Sequence, residues 1–316
     1  MVMGVSGQLG RQCQQDLPKH GFELLGLGRD ALDVSRGTEQ DWRKAIDEHL
    51  KAFKPDWVIN ALAYTAVDRA EGEPNVAIQV NGSFPEVLAR SLRRVSPQTY
   101  LLQCSTDYVF DGRSELPYRE SDPTRPLSVY GQSKLLGEQA VLSSHERSRV
   151  LRFSWVVGVH GENFAKTILR LASERAQLRV VGDQRGVPSP TPFLVREFSR
   201  LISLYAKTHT IEDAKQQKVF HVVPSGETNW HAYAQCCIEA AAADPLWAKR
   251  LKIRWQDIAC ISSKAYPTKA PRPLNSLLDC AAWCDLHHIK VLPAWASVTR
   301  PVLQGILANS RWSPSL

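Results

Sequence analysis

Tyr130-Gly131-Gln132-Ser133-Lys134 places a phenol and a primary amine four residues apart, and at that spacing on a helix the two side chains share one face. A cationic amine beside a phenol favours the phenolate. The pair therefore predicts a tyrosine drawn below its ordinary pKa of ~10 and usable as an acid or base near neutral pH. Upstream, Cys104-Ser105-Thr106-Asp107-Tyr108-Val109-Phe110-Asp111-Gly112 begins where an apolar run ends, and a hydroxyl at such a strand edge can donate to a carbonyl oxygen. Either segment alone arises by chance in many proteins. Their order behind a glycine-rich start carries more weight.

That start, Gly4-Val5-Ser6-Gly7-Gln8-Leu9-Gly10, is a G-x-x-G-x-x-G run leading into a plausible helix. Glycines let the backbone turn tightly, admit a pyrophosphate and pack helix against strand, and the helix N-terminus offers free N–H groups to the phosphates. Only three residues precede Gly4, where a central strand wants about five. The first strand is thus short, or its start lies upstream. At the end of the second strand, Leu27-Gly28-Arg29-Asp30, an arginine suits a 2′-phosphate and an acid a ribose hydroxyl. Arg29 favours NADPH, and Asp30 beside it leaves NADH open. Asp33 and Val34 are candidate adenine contacts, with a plain turn as the alternative for Asp33.

The elements that must position these residues follow from the apolar runs. Glu23–Leu27, Asp56–Asn60, Tyr100–Cys104 and Val150–Phe153 read as strands buried on both faces. Trp42, Ala45, Ile46, Leu50 and Phe53 recur at helical spacing, and Thr38 with Asp41 resembles a capping box. Strands alternating with helices imply right-handed β-α-β units and a Rossmann-type doubly wound parallel sheet in an α/β protein. After about residue 158 the alternation loosens, with one more strand candidate at Val219–Val223. The expected division is a nucleotide-binding domain over 1–157 and a smaller mixed α/β, mainly substrate-binding domain over 158–316, some of whose segments return to the first.

Composition narrows the class. The chain has 316 residues, 43% hydrophobic and 22% charged, which excludes disordered and collagen-like chains. A net charge of +7 suits anionic small molecules. It does not demand nucleic acid: Arg90, Arg93 and Arg94 sit at helical spacing without interleaved aromatics and read as a solvated face. The seven cysteines contain no C-x-x-C pair and read as buried free thiols; Cys280, Cys284, His287 and His288 lack the partner spacing of a zinc site. Without a signal-like or membrane-length apolar run, the expectation is a soluble cytoplasmic protein with no membrane partner.

The segments Asn60–Glu71, Ser105–Gly112, Pro117–Glu120 and Val129–Leu135 resemble the extended short-chain dehydrogenase/reductases, and within them the dTDP-4-dehydrorhamnose reductase family. The pattern continues through Ser154–Gly158, Asn163-Phe164, Leu171–Arg175, Asp183–Pro188 and Arg272–Ser276, so the resemblance spans Gly4 to about Leu278. It implies hydride transfer from NADPH to the C4 ketone of a dTDP-4-keto-6-deoxy sugar, giving dTDP-L-rhamnose. Tyr130 would then protonate the C4 alkoxide, Lys134 hold the nicotinamide ribose and depress the tyrosine's pKa, and Thr106 polarise the ketone. Gly4, Gly7, Gln8 and Leu9 would line the pyrophosphate, with Ala61, Ala63 and Tyr64 flanking the cofactor. Val67, Asp107, Tyr108 and Trp155 match the sugar pocket, and Asn163, Lys166 and Arg272 are candidates for the nucleotide diphosphate.

Two departures qualify the resemblance. Some family members bind magnesium between subunits through glutamates, but here Gln12 follows the glycine loop and Ser189-Pro190-Thr191-Pro192-Phe193 lacks the second acid. A hard cation needs charged oxygens. No magnesium is expected, and the homodimer, where it forms, is not expected to be metal-bridged. The short first strand is the second departure. Two alternatives stand beside the reductase: a non-catalytic relative like the regulatory subunit of methionine adenosyltransferase, against which the retained Thr106, Tyr130 and Lys134 speak, and a reductase or epimerase of another nucleotide sugar.

Overall fold

The computed structural model describes residues 1–208 and 217–309. The first half runs β1 (Val2–Met3), α1 (Gln8–Asp16), β2 (Gly26–Leu27), α2 (Glu39–Phe53), β3 (Trp57–Asn60), α3 (Val67–Ala70), α4 (Pro74–Ile78), α5 (Phe84–Val95), β4 (Tyr100–Thr106), α6 (Val129–Ser144) and β5 (Ser148–Phe153). The second runs β6 (Val156–Val157), α7 (Phe164–Glu174), β7 (Arg179–Val181), β8 (Arg185–Gly186), β9 (Ser189–Pro190), α8 (Thr191–Thr208), β10 (Val219–His221), β11 (Thr228–Asn229), α9 (Trp230–Ala242), α10 (Pro245–Ala248), β12 (Ala259–Ile261), α11 (Ala281–Leu286) and α12 (Trp295–Ala308).

The principal sheet has the order β10-β5-β4-β3-β1-β2 and every pairing in it is parallel. All four residues of β3 are buried, because successive side chains enter opposite apolar layers: Val58 joins the layer of Trp42, Ile46 and Phe84, and Ile59 that of Leu9, Phe198 and Trp283. Helices thus cover both faces, the doubly wound arrangement expected from the sequence. The capping box forms as expected, Thr38 accepting from the Asp41 amide and Asp41 from that of Thr38.

Three strand expectations are revised. β2 is only Gly26–Leu27 rather than Glu23–Leu27. β4 runs on past Cys104 to Thr106, because Ser105 and Thr106 stay in register with Arg152 and Phe153 of β5. The strand at Val219 pairs with β5 and becomes the sixth strand of the principal sheet. β1 is two residues long yet sits between β2 and β3, and its ladder is lengthened by Val2 N donating to Leu25 O at 2.8 Å and Ile59 N to Met1 O at 2.9 Å.

A third apolar cluster, from α7, α9 and α12, lies outside that sheet and includes Leu169, Ile238 and Leu303. Around it stand three two-stranded pairings, β6 with β9, β7 with β12 and β8 with β11. Cys13, Cys104 and Cys237 are buried free thiols, Cys236, Cys280 and Cys284 are half-buried, and Cys260 is exposed, which corrects the expectation of uniformly buried thiols. No helix among the described residues is long and apolar enough to cross a membrane.

Candidate active site

The sheet's strand order reverses between β1 and β3, and ligands of open α/β sheets bind outside the strand ends at such a point. Gly4 leaves β1 there with φ +79°, and a Cβ on it would stand 2.7 Å from Leu62 Cα. A Cβ on Gly10 would stand 2.2 Å from Gly4 O, so only glycine lets α1 start this close under the loop. Gly7 is the N-cap of α1 with no side-chain cap bond, which leaves the first-turn amides of Gln8 and Leu9 without a side-chain acceptor at the end of the loop. These features fit a pyrophosphate.

A cavity of about 260 Å³ extends from this cradle over β2 and brings together Gly4, Gly7, Arg29, Asp33, Val34, Ala61, Ala63 and Tyr64, eight of the residues expected at the cofactor. Asp33 accepts from the Ser35 amide at 3.0 Å and hydroxyl at 2.5 Å, and these bonds hold its carboxyl below the usual range. Its carboxylate therefore shapes the turn, while its position forms the cavity wall. Arg29 is exposed beside it.

A second cavity, of about 530 Å³, shares Gly7, Ala61 and Ala63 with the first and contains Gln8, Leu9, Val67, Thr106, Asp107, Tyr108, Tyr130, Lys134, Trp155 and Asn163. The catalytic candidates come from two elements. β4 ends at Thr106, whose hydroxyl donates to Asp107 Oδ1 at 3.2 Å and accepts from the Tyr108 amide at 3.2 Å. α6 begins one residue before Tyr130 because Ser128 caps the Gly131 amide and Glu71 takes that of Val129. Its rotation is fixed by Glu138, one turn beyond Lys134, which accepts from Arg152 of β5 at 2.7–3.2 Å and from the Ser105 hydroxyl.

The electrostatics correct one expectation. Tyr130 is raised above the ordinary phenol value, by burial first and then by the Asp107 charge, with Thr106 offsetting part of the rise. Lys134 does not lower it. Its ammonium donates to Cys104 O at 2.6 Å, and burial lowers the lysine's own pKa. Tyr130 is thus held as a protonated acid. Burial lifts the Asp107 carboxyl to about 7, against the pull of the Ser276 and Thr106 hydroxyls.

Asn163 caps α7 by accepting from the Lys166 amide, and its side chain also donates to Gln8 Oε1 at 3.0 Å and Gly158 O at 2.8 Å. Gln8 in turn donates to Glu162 O, so the 158–163 loop is fastened across the glycine loop. Lys166 is turned to Gly161 O at 2.7 Å. Arg272 forms no part of either cavity's wall: Asp68 holds its guanidinium by two bonds of 2.7 and 3.1 Å. Gln12 is engaged within the chain, accepting from Thr191 and donating to Asp16.

Sequence reasoning missed two residues. Asn81 is buried on a π-helical turn before α5, holds the Tyr64 backbone by two bonds of 2.9 and 3.0 Å, and donates to Ser133 of α6. An amide two residues after Gln79, between Val80 and Gly82, was its only signal, and π-turns often mark functional sites. Trp230 lines the larger cavity and stacks on Trp155 at 3.6 Å. Nothing local marked it.

A family model described as the RmlD substrate binding domain matches residues 1–307. The chain belongs to that family. The dTDP-4-dehydrorhamnose reductase of Shigella flexneri is 34% identical over 310 residues, 98% of each chain, and that of Burkholderia thailandensis 36% identical over 295, covering 93% of this chain and 94% of its own. Among solved structures, a dTDP-4-dehydrorhamnose reductase from Clostridium acetobutylicum is similar at a TM-score of 0.80 and 27% identity, covering 96% of this chain and 97% of its own. The Bacillus anthracis enzyme in complex with NADP gives 0.80 and 26% over the same shares. A Thermus thermophilus UDP-glucose 4-epimerase, at 16% identity and a TM-score of 0.74, shares the fold. The dTDP-4-dehydrorhamnose reductase family, read from the segments between Asn60 and Ser276, is borne out.

Proposed function

We propose that the chain reduces the C4 ketone of dTDP-4-dehydrorhamnose to the alcohol of dTDP-L-rhamnose, with NADPH as the reductant. The observation that carries this reading is the meeting of Thr106, Tyr130 and Lys134 in one cavity continuous with the glycine cradle of α1. The relatives named above as dTDP-4-dehydrorhamnose reductases, and the NADP bound to one of them, support the choice of substrate and cofactor.

NADPH supplies the hydride when bound. The chain's own residues supply everything else. The Gly4–Gly10 cradle and the α1 amides take the pyrophosphate, Arg29 faces the 2′-phosphate, and Val34, Ala63 and Tyr64 wall the adenosine end. On releasing Asp107 Oδ1, the Thr106 hydroxyl donates to the ketone oxygen and so stabilises charge as it develops there. Tyr130, kept protonated by burial, delivers the proton to that oxygen, and Lys134 serves the nicotinamide ribose from the same helix face. Val67, Asp107, Tyr108 and Trp155 enclose the sugar. In this reading residues 1–157 serve mainly the cofactor and 158–316 mainly the sugar nucleotide. Asn163 at the 158–163 loop serves its diphosphate, a role that Arg272 takes up only on leaving Asp68.

The enzyme acts in the cytoplasm, as a homodimer without a metal bridge, since the Gln12 amide is committed to Thr191 and Asp16. NADPH consumption with a panel of nucleotide 4-keto sugars, with and without chelator, tests the reading. Turnover should be fastest with dTDP-4-dehydrorhamnose and indifferent to chelator. Faster turnover of another base or sugar would reassign the substrate.

A further inference from the structure

Trp155 carries a backbone φ of +45°, in the left-handed region that a bulky residue seldom adopts. Such a conformation persists only where the surroundings impose it. Here the indole is gripped from two sides. One face stacks on Trp230 with ring centroids 3.6 Å apart and planes inclined by 15°. Against the ring lies Gly186, where a Cβ would come within 2.5 Å of two ring carbons, so no larger residue fits beside this rotamer. The grip is built by the β8–β11 ladder, in which Gly186 pairs with Thr228 and Arg185 with Asn229, the residue before Trp230. The backbone is pinned as well, since Ser189 N donates to Trp155 O at 3.1 Å. Trp230 is itself braced by Phe164 at 4.5 Å.

We propose that Trp230 and Gly186 are positioning residues for the sugar: they act through Trp155, holding its indole as a fixed wall of the cavity that contains Thr106 and Tyr130. The inference rests on the reading of that cavity as the sugar site. A free indole at Trp155 would sweep several rotamers, and each sugar bound would have to order it. The stacked pair removes that cost beforehand. The cavity at the glycine cradle, which takes the adenosine and pyrophosphate of the cofactor, contains neither tryptophan, so NADPH affinity depends on the clamp far less than the sugar's does.

The test compares Trp155→Ala, Trp230→Ala, Trp230→Phe, Gly186→Ala and the Trp155→Ala/Trp230→Ala double variant. The readouts are KM for dTDP-4-dehydrorhamnose, kcat, NADPH affinity, and near-ultraviolet circular dichroism of the coupled indoles. Trp230→Ala and Gly186→Ala should each raise KM about tenfold, the scale of a lost apolar contact, and leave NADPH affinity within about twofold. Trp230→Phe should keep KM within about threefold of the native value, and in the Trp155→Ala background the Trp230 change should add less than about twofold. Loss of the coupled dichroism should accompany the rise in KM. The clamp is overturned if Trp155→Ala raises KM while Trp230→Ala and Gly186→Ala do not, if the two tryptophan effects add fully, or if NADPH affinity falls as far as KM rises. A Trp155→Ala enzyme that turns over with native KM would instead refute the sugar-site reading, and the clamp with it.

Discussion

The two ends of the active site are made differently. The cofactor end has at its centre a backbone construction from one short stretch: Gly4 and Gly10 hold the loop against α1, whose first-turn amides have no side-chain cap. The sugar end is a side-chain construction drawn from five distant segments. Asn163, Gly186 and Trp230 come from the second half of the chain and meet Thr106, Tyr130 and Trp155 from the first. A local backbone device tolerates few substitutions but needs little support. A composite wall depends on every ladder and cap that brings its parts together.

The largest effect that would sharpen this contrast lies where the two ends meet. Tyr130→Phe should lower kcat by about 10²–10⁴-fold, the usual worth of a general acid, with NADPH affinity unchanged in a fluorescence titration. Near-native turnover would remove the proton donor from the account. Next, Gly10→Ala should destabilise the fold by about 1–3 kcal/mol in urea melts and weaken NADPH, because the added carbon meets the Gly4 carbonyl. The apolar cluster of α7, α9 and α12 shares no residue with the two clusters of the principal sheet, and its hydrogen-exchange protection should fall no more than the global stability does.

At the sugar end, Asp107 supplies a pH signature. Its folded-state pKa is raised by burial to about 7, so the folded chain keeps a proton that the unfolded chain releases near ~4. Stability from this group is therefore greatest at acid pH and declines as pH rises through that window. Asp107→Asn should abolish this decline, gaining stability relative to the native protein at pH 8 and not at pH 4. Parallel pH profiles for both proteins would show that the carboxyl titrates alike in the folded and unfolded chains. The smallest effect belongs to the exposed rim of the cofactor end: Arg29→Ala should weaken NADPH about threefold to fivefold and NADH hardly at all, as suits a solvent-facing charge pair. Equal losses would place the 2′-phosphate elsewhere.

The same contrast explains what the sequence disclosed. The glycine loop, the Thr38–Asp41 capping box and the buried β3 are written in adjacent residues, and the structure shows each where local rules put it. β10 was recognisable as a strand, but its partner β5 lies some seventy residues earlier, so its place in the sheet was decided by pairing that no local pattern encodes. The Y-x-x-x-K spacing placed Tyr130 and Lys134 on one helix face. It could not show that the Lys134 ammonium would turn to the Cys104 carbonyl, or that burial would set the phenol's pKa. Arg272 looked free to meet a phosphate, yet its partner Asp68 stands about two hundred residues away in sequence. Asn81 and Trp230 escaped notice for the same reason, since the importance of each lies wholly in what it touches.

The central claim is that hydride from NADPH and a proton from Tyr130 are delivered to the carbonyl at C4 of the dTDP-linked sugar. Reduction with NADPH carrying deuterium in its transferable position, followed by NMR of the product, tests it most directly. The account predicts one deuterium at C4 of dTDP-L-rhamnose for each NADPH oxidised, and loss of product formation in Tyr130→Phe. Deuterium at another carbon, or a folded protein that binds NADPH and the sugar nucleotide yet oxidises none, would contradict it.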